Sequence, residues 1–267
     1  MPVIEDTILE ILKNLPSALF GNLSPAEMTR YEKQLRLADW GLDSQEKLKS
    51  SRVFIAGAGG LVTAAAFSLV AAGVGHLRVV DVRRVSLQDL GDQLLYRERD
   101  LNKPKISVFR QRLQEANPFS EIEGLERKIS DHNAVKIIQG ADLLLADLNE
   151  DQTASVLNRA AIKCQIPLIL AWTQEMRGFI ITLKPGQGLC LECTSLTERG
   201  CKSEAVMAPM RSIVGGLMAL EALHILGGPG PVLLERLFGY DGDLCHCLEE
   251  PIKRKKECVV CNRQGQG

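Results

Sequence analysis

The stretch from Val53 to Asp81 constrains the fold of this chain more than any other. Val53-Phe54-Ile55-Ala56 is a short apolar run, Gly57-Ala58-Gly59-Gly60 a tight turn, and residues 61–72 an alanine-rich helical pattern. After Gly73 and Gly75, residues 77–80 form a second apolar run that ends at Asp81. Two buried strands joined by a helix make a β-α-β unit, which demands a parallel pair and a right-handed crossover.

The alternation continues. Residues 105–117, 133–139 and 153–163 carry helical spacing, while 121–126, 143–146 and 167–171 read as strands. Further on, residues 178–183 and 236–240 read as antiparallel strands. Between them lie a cysteine-bearing loop and a long apolar helix over 213–226, which Gly227-Gly228-Pro229-Gly230 terminates. Residues 4–15 also have helical apolar spacing. Ser24-Pro25-Ala26-Glu27 is a capping box that starts a helix carrying Arg30, Tyr31 and Lys33. The fold class expected is α/β: a doubly wound, mostly parallel, Rossmann-like sheet with mixed C-terminal strands and, at the Cys-x-x-Cys pairs Cys190/Cys193 and Cys258/Cys261, a zinc knuckle. No repeat or low-complexity linker interrupts it. The expected division is an N-terminal helical extension, 1–26, and one nucleotide-binding domain, 27–267, with a C-terminal zinc-binding subregion.

A strand, a glycine turn and a helix N-terminus form a phosphate site, because glycines admit a close ligand and the unpaired N–H groups favour negative charge. Gly57, Gly59 and Gly60 are the candidate phosphate-binding residues. Asp81, 24 residues after Gly57, stands where a carboxylate can bind ribose hydroxyls. The third glycine of a G-x-G-x-x-G pattern is Val62 here, and a β-branched residue there is expected to push helix and strand apart. A tight turn without a ligand is the plainer reading of the same residues.

Cys190-Leu-Glu-Cys193 and Cys258-Val-Val-Cys261 are two Cys-x-x-Cys pairs, each able to give two thiolates to one tetrahedral zinc ion. About 64 residues separate them, too many for a compact finger, so the metal would tie the C-terminal tail back to the sheet region. Four thiolates close the coordination shell, which makes the role structural. Reduced thiols or redox dithiols are the alternative. Cys245-His246-Cys247 is read as core and rim positions at a strand end, and Cys164 as a core residue on a helix.

Composition narrows the function classes. The net charge is −1 and aromatics are 4% of the 267 residues, which excludes a field or stacking platform built for nucleic acid. No apolar run reaches membrane-spanning length. The acidic start, residues 1–6, lacks the basic opening of a signal peptide, so a cytoplasmic, reducing location is expected. There, eight cysteines serve metal or thiol chemistry rather than disulfides.

Taken together, the motifs resemble the ThiF/MoeB/HesA family of ubiquitin-activating-enzyme-like adenylating proteins. The likeness runs over roughly residues 27–262. It rests on Arg30-Tyr31-Glu32-Lys33-Gln34, on the segment from Ser51 to Leu61, and on Ala72-Gly73-Val74-Gly75. It also rests on Asp100-Leu101-Asn102-Lys103-Pro104-Lys105, residues 201–210 (CKSEAVMAPM) and both cysteine pairs. The resemblance implies binding of ATP and Mg²⁺, and adenylation of the C-terminal glycine of a small ubiquitin-like or sulfur-carrier protein. It also implies a homodimer, or a heterodimer with a family member.

Residue by residue, the resemblance makes Lys105 the phosphate-facing lysine and Asp81 the ribose carboxylate. It makes Cys201 a candidate for covalent attachment to the carrier, with Arg199 and Lys202 nearby. At other positions the chain departs from the family. Lys33 stands for an arginine, Asp89 for an asparagine, Asp92 for an arginine and Asn149 for the magnesium aspartate, with Asp147 and Asp151 the nearest carboxylates. Arg83 stands for a second acid. Asp89 and Asp92 place two anions beside a triphosphate, and the two-unit charge change from arginine to Asp92 alone is expected to cost on the order of several kcal/mol of phosphate binding at intermediate dielectric. Residues 85–93 resemble the non-catalytic half of heterodimeric activating enzymes. A catalytically impaired pseudoenzyme, acting as partner or scaffold subunit, is therefore the alternative to an adenylyltransferase. A nicotinamide-dependent oxidoreductase is a third reading, for which no acid or base is found. Lys253-Arg254-Lys255-Lys256 reads as a solvated face.

Overall fold

The computed structural model describes residues 21–149, 151–187, 189–194, 196, 205–228, 233–252, 255, 258, 260 and 261. Its first elements are short helices: α1 (Pro25–Arg30), α2 (Glu32–Leu35) and α3 (Gly41–Ser50). The capping box forms as the sequence demands, with the Ser24 N–H donating to Glu27 Oε2 at 2.8 Å and the Glu27 N–H to Ser24 Oγ at 3.3 Å. The helix expected to carry Tyr31 and Lys33 instead breaks at Tyr31, whose ψ of 8° leaves the helical region. Helix α3 escapes a periodicity reading because GLDSQEKLKS is almost wholly polar. Leu48 is its one buried apolar side chain, and the buried Gln45 donates to the Ala72 carbonyl at 2.8 Å. The helical pattern over residues 4–15 lies outside the described residues.

Strand β1 (Arg52–Ala56), helix α4 (Gly60–Ala72) and strand β2 (His76–Val80) form the expected unit, followed by α5 (Lys105–Ala116), β3 (Glu121–Leu125), α6 (Ala134–Ile138), β4 (Leu143–Asp147), α7 (Asp151–Cys164) and β5 (Leu168–Gln174). The chain then runs through β6 (Arg177–Leu183), α8 (Leu191–Thr194), α9 (Ala208–Leu226), β7 (Arg236–Asp241) and β8 (His246–Pro251). All eight strands form one sheet in the order β3-β2-β1-β4-β5-β6-β7-β8. The pairs from β3 to β5 are parallel, and those from β5 to β8 antiparallel. The fold is thus the doubly wound, mostly parallel sheet with antiparallel C-terminal strands that the sequence predicts.

Alternation in the central strands divides the core. Val53 and Ile55 of β1, Leu143 and Leu145 of β4, and Ile169 and Ala171 of β5 face a layer built by α4, α5 and α9. Phe54, Ala56, Leu144, Ala146, Leu168 and Leu170 face the opposite layer, formed by α6, α7 and the cysteine region. Strands buried on both faces must be continuously apolar, which is why they were legible. Helix α9 begins five residues before its expected start, at Ala208 behind a helix-compatible Pro209.

Val62 is fully buried and packs within the α4 layer. The close approach a glycine would allow is provided on the other side of α4, by Gly215 of α9. A Cβ there would lie 2.6 Å from Ala64 Cβ and from the Leu61 carbonyl oxygen. Strand β8 is a further departure, since HCLEEP lacks the apolar alternation of a strand. It is exposed along its length, as an edge strand bearing Glu249, Glu250 and Pro251 can be. Among the described residues no helix is long and apolar enough to cross a membrane.

Candidate active site

The strand order reverses between β1 and β4, and crevices for ligands open at the carboxyl ends of strands at such a point. A cavity of about 850 Å³ lies there. Its walls are the turn after β1 (Gly57, Gly59), the loop after β2 (Arg83, Arg84, Ser86, Asp89, Asp92, Gln93), Lys105 at the start of α5, Asp147 and Asn149 after β4, and Arg211 in the first turn of α9.

The turn is built to stay put. Gly57 takes φ +88°, a conformation that costs an L side chain strain, and its N–H donates to the Val80 carbonyl at 2.8 Å. The Ala58 N–H donates to Asp81 Oδ2 at 2.7 Å, and the Ala58 carbonyl accepts from the Tyr96 hydroxyl at 2.7 Å. Burial pushes the Tyr96 phenol far above its ordinary range, so it stays a donor. Helix α4 starts at Gly60 with no side-chain cap, leaving its first N–H groups directed toward the cavity's glycine turn.

Asp81, the residue the resemblance makes a ribose carboxylate, lies against the glycine turn, accepting from the Ala58 N–H. Its carboxylate is already engaged. Arg83 donates to it from Nη2 at 2.6 Å, from Nε at 3.0 Å and from the backbone N–H at 2.8 Å. Burial alone would raise the Asp81 pKa, but the Arg83 guanidinium and the two backbone N–H donors outweigh it and hold the carboxyl below its ordinary value.

The two aspartates expected to repel phosphate are each met by a cation. Lys105 Nζ lies 2.6 Å from Asp89 Oδ1, 3.3 Å from Gln93 Oε1, and 5.6 Å from the Tyr96 ring centroid. Asp89 Oδ2 also accepts from the Ser86 N–H and hydroxyl at 2.7 and 2.9 Å. For Asp89 too, burial raises the pKa and the Lys105 and Ser86 hydrogen bonds more than reverse it. Asp92 Oδ2 lies 2.6 Å from Arg211 Nε. The lining therefore holds four cations (Arg83, Arg84, Lys105, Arg211) and three carboxylates (Asp89, Asp92, Asp147), a balance that position-by-position reading of the loop does not reveal.

Arg84 and Arg211 of the cavity lining, and Tyr96 behind the glycine turn, are residues that sequence reasoning missed, although Arg211 directly follows the motif at residues 201–210. Lys33 is exposed and is not part of the cavity wall. Cys201, Arg199 and Lys202 lie outside the described residues, as do Lys253, Arg254 and Lys256. Asn149 stands beside Asp147, to whose Oδ1 its N–H donates at 2.9 Å. Asn149 Oδ1 is buried without a hydrogen-bond partner among the described residues. A carboxylate with an unspent amide oxygen beside it is a hard oxygen donor set, which fits a magnesium ion.

In the layer of α6 and α7, the four paired cysteines converge. Cys190 Sγ lies 3.6 Å from Cys193 Sγ and 3.5 Å from Cys258 Sγ, and Cys193 Sγ is 3.5 Å from Cys261 Sγ. All four sulfurs fall within 4.8 Å of one another. Tetrahedral zinc with Zn–S bonds near 2.3 Å requires S···S separations of about 3.8 Å, so the donor set fits that ion. The Leu191 N–H donates to Asn158 Oδ1 at 3.0 Å, which moors the first pair to α7. Burial pushes the Cys190 thiol well up, whereas backbone N–H groups of Cys261 and Val260 outweigh burial at Cys258 and bring it down to about 7. Cys245, in the β7–β8 turn, and Cys247, in β8, are both exposed, so the edge position of β8 makes them rim and not core residues. Cys164, at the end of α7, is partly buried and packs against the core.

The ThiF family model matches residues 31–260. Molybdopterin-synthase adenylyltransferase of Escherichia coli (strain K12) is 33% identical over 247 residues, covering 90% of this chain and 99% of that protein. The sulfur carrier protein ThiS adenylyltransferase of the same organism is 33% identical over 246 residues, 90% of this chain and 97% of that one. Adenylyltransferase and sulfurtransferase MOCS3 of Drosophila sechellia is 33% identical over 260 residues. This chain spans only 57% of its length. Among solved structures, E. coli MccB with ATP has a TM-score of 0.73 at 22% identity, covering 82% of this chain and 68% of that one. PaaA has a TM-score of 0.76 at 24% identity, covering 88% and 76%. The structural likenesses carry the fold. With the family model spanning most of the sequence and relatives a third identical along nearly their whole length, the chain belongs to the ThiF family.

Proposed function

We propose that this chain is an ATP-dependent adenylyltransferase that activates the C-terminal carboxylate of a small sulfur-carrier or ubiquitin-like protein. The observation that carries the reading is the cation-lined cavity over the glycine turn, in a chain whose full-length relatives are adenylyltransferases. In the reaction, a carboxylate oxygen of the carrier attacks the α-phosphorus of ATP. The bond from that phosphorus to the bridging oxygen breaks, and pyrophosphate leaves with the electron pair.

This chain's residues supply what that step needs. The turn at Gly57, Gly59 and Gly60 lets phosphate approach the N-terminus of α4. Lys105 balances charge that moves onto the departing pyrophosphate, and its burial makes the interaction stronger than it would be in water. Asp81 receives the ribose hydroxyls once Arg83, whose side chain is nearly half exposed, swings aside. Asp147 and Asn149 Oδ1 would hold a magnesium ion, which when bound neutralises phosphate charge. Cys190, Cys193, Cys258 and Cys261 would hold a structural zinc ion. Cys201 remains a candidate for covalent carrier attachment. A cytoplasmic location and a dimeric assembly, with itself or with another family member, complete the reading.

Exchange of labelled pyrophosphate into ATP, run with candidate carriers ending in Gly-Gly beside an active relative, tests it. Carrier-dependent exchange is expected. Its absence with every carrier, while the control exchanges, would overturn the proposal.

A further inference from the structure

We propose that Arg211 is the cation of this chain that meets the pyrophosphate portion of the bound nucleotide, and that Asp92 holds it ready until phosphate enters. The inference rests on the adenylyltransferase reading and adds a residue and a mode of binding to it.

Arg211 is the fourth residue of α9, yet its side chain reaches across to the first residue of α4. A Cβ on Gly60 would lie 2.6 Å from Arg211 Cδ and 3.2 Å from the Asp92 carbonyl oxygen. The arginine stem therefore lies against the opening of α4, in the wall of the cavity that holds Gly57, Gly59 and Lys105.

A cation at a helix N-terminus stands against the positive end of the helix dipole, and is favourable only with an anion beside it. Asp92 is that anion here, 2.6 Å from Nε, with both side chains mostly buried. The contact is close but badly aligned. Arg211 Nε is buried and its N–H finds no hydrogen-bond acceptor in line among the described residues. The donor is thus charge-neutralised without being spent. A phosphate oxygen entering over Gly60 would provide the aligned acceptor and a second, planar partner for the fork, which a lone carboxylate held off-line does not. Arg211 and Lys105 then bracket the phosphates, each released from its own aspartate.

The test is calorimetric titration of the whole chain with three probes: ATP·Mg²⁺, tripolyphosphate·Mg²⁺ and AMP. Because Arg211→Gln leaves Asp92 buried without its partner, the decisive variant is the double substitution Arg211→Gln/Asp92→Asn, with thermal unfolding as the check that it folds. The double variant should bind ATP and tripolyphosphate about 10- to 100-fold more weakly, the worth of a charge-assisted contact, and should bind AMP unchanged. Asp92→Asn alone should tighten tripolyphosphate by removing the competing anion, and Arg211→Lys should fall between wild type and Gln. Wild-type affinity for tripolyphosphate in the folded double variant would overturn the inference alone. So would an equal loss for AMP, which marks a structural role. A wild-type chain that binds none of the three probes would remove the nucleotide reading itself.

Discussion

Lys105 Nζ lies 2.6 Å from Asp89 Oδ1, and the pair is almost closed off from solvent. The lysine that a phosphate would need is held by the acid that would repel one. Removing only the lysine leaves a buried, uncompensated carboxylate, which costs about 3–5 kcal/mol. Lys105→Met is therefore expected to lower stability by that order, measured by urea unfolding, and to cut pyrophosphate exchange by roughly 100-fold or more. Lys105→Met/Asp89→Asn should regain most of the stability and none of the exchange. Recovery of both would show that Lys105 acts through structure alone.

The acid limb of stability should follow Asp81 and Asp89. Both carboxyls have folded pKa values below the ordinary value of 3.8. A depressed carboxylate contributes stability that is fully present above its unfolded pKa and is lost as pH falls through the folded one. Unfolding free energy should thus be insensitive to these groups above about pH 5 and fall below about pH 4. Asp89→Asn should flatten that fall. A slope in Asp89→Asn as steep as in wild type would separate Asp89 from the acid limb.

Tyr96 ties the glycine turn to the loop after β2 by donating to the Ala58 carbonyl. Tyr96→Phe keeps the ring and removes the donor, leaving a buried carbonyl unsatisfied at about 1–3 kcal/mol. A turn that is less well held should raise the KM for ATP more than it lowers kcat, because the chemistry itself does not touch the hydroxyl. Steady-state kinetics with varied ATP measures the split. An unchanged KM with reduced kcat would place Tyr96 in the reaction step.

The cysteine cluster makes a separate prediction, since its residues pack in the layer of α6 and α7 and do not line the glycine-turn cavity. Cys190→Ser should release one zinc per chain, read by elemental analysis. It should also expose α8 and the segment around Cys258 to hydrogen exchange, with the loss of metal binding worth on the order of 10 kcal/mol. The β1-α4-β2 unit should stay protected. Full metal and full stability in the variant would refute a zinc site at these residues.

Some of this molecule could be read from local pattern. Strands β1, β4 and β5 are continuous apolar runs because both faces are buried, and the Ser24 capping box and the Gly57 turn are chemistry confined to four residues. Helix α3 and strand β8 were illegible for the converse reason. One is polar with a single buried leucine, and the other is an exposed edge whose pairing, not its composition, makes it a strand.

By itself the sequence determined the doubly wound sheet, the family likeness and the four-cysteine set, because each depends on short-range spacing or on fixed ligand chemistry. Only the tertiary structure decided the electrostatics of the cavity. Asp89 and Asp92 look hostile to phosphate when read along the loop. Helix α5 brings Lys105 to the first, and α9 brings Arg211, 119 positions away in the chain, to the second. Coulomb energy depends on separation in space and on burial, neither of which is written in the order of residues.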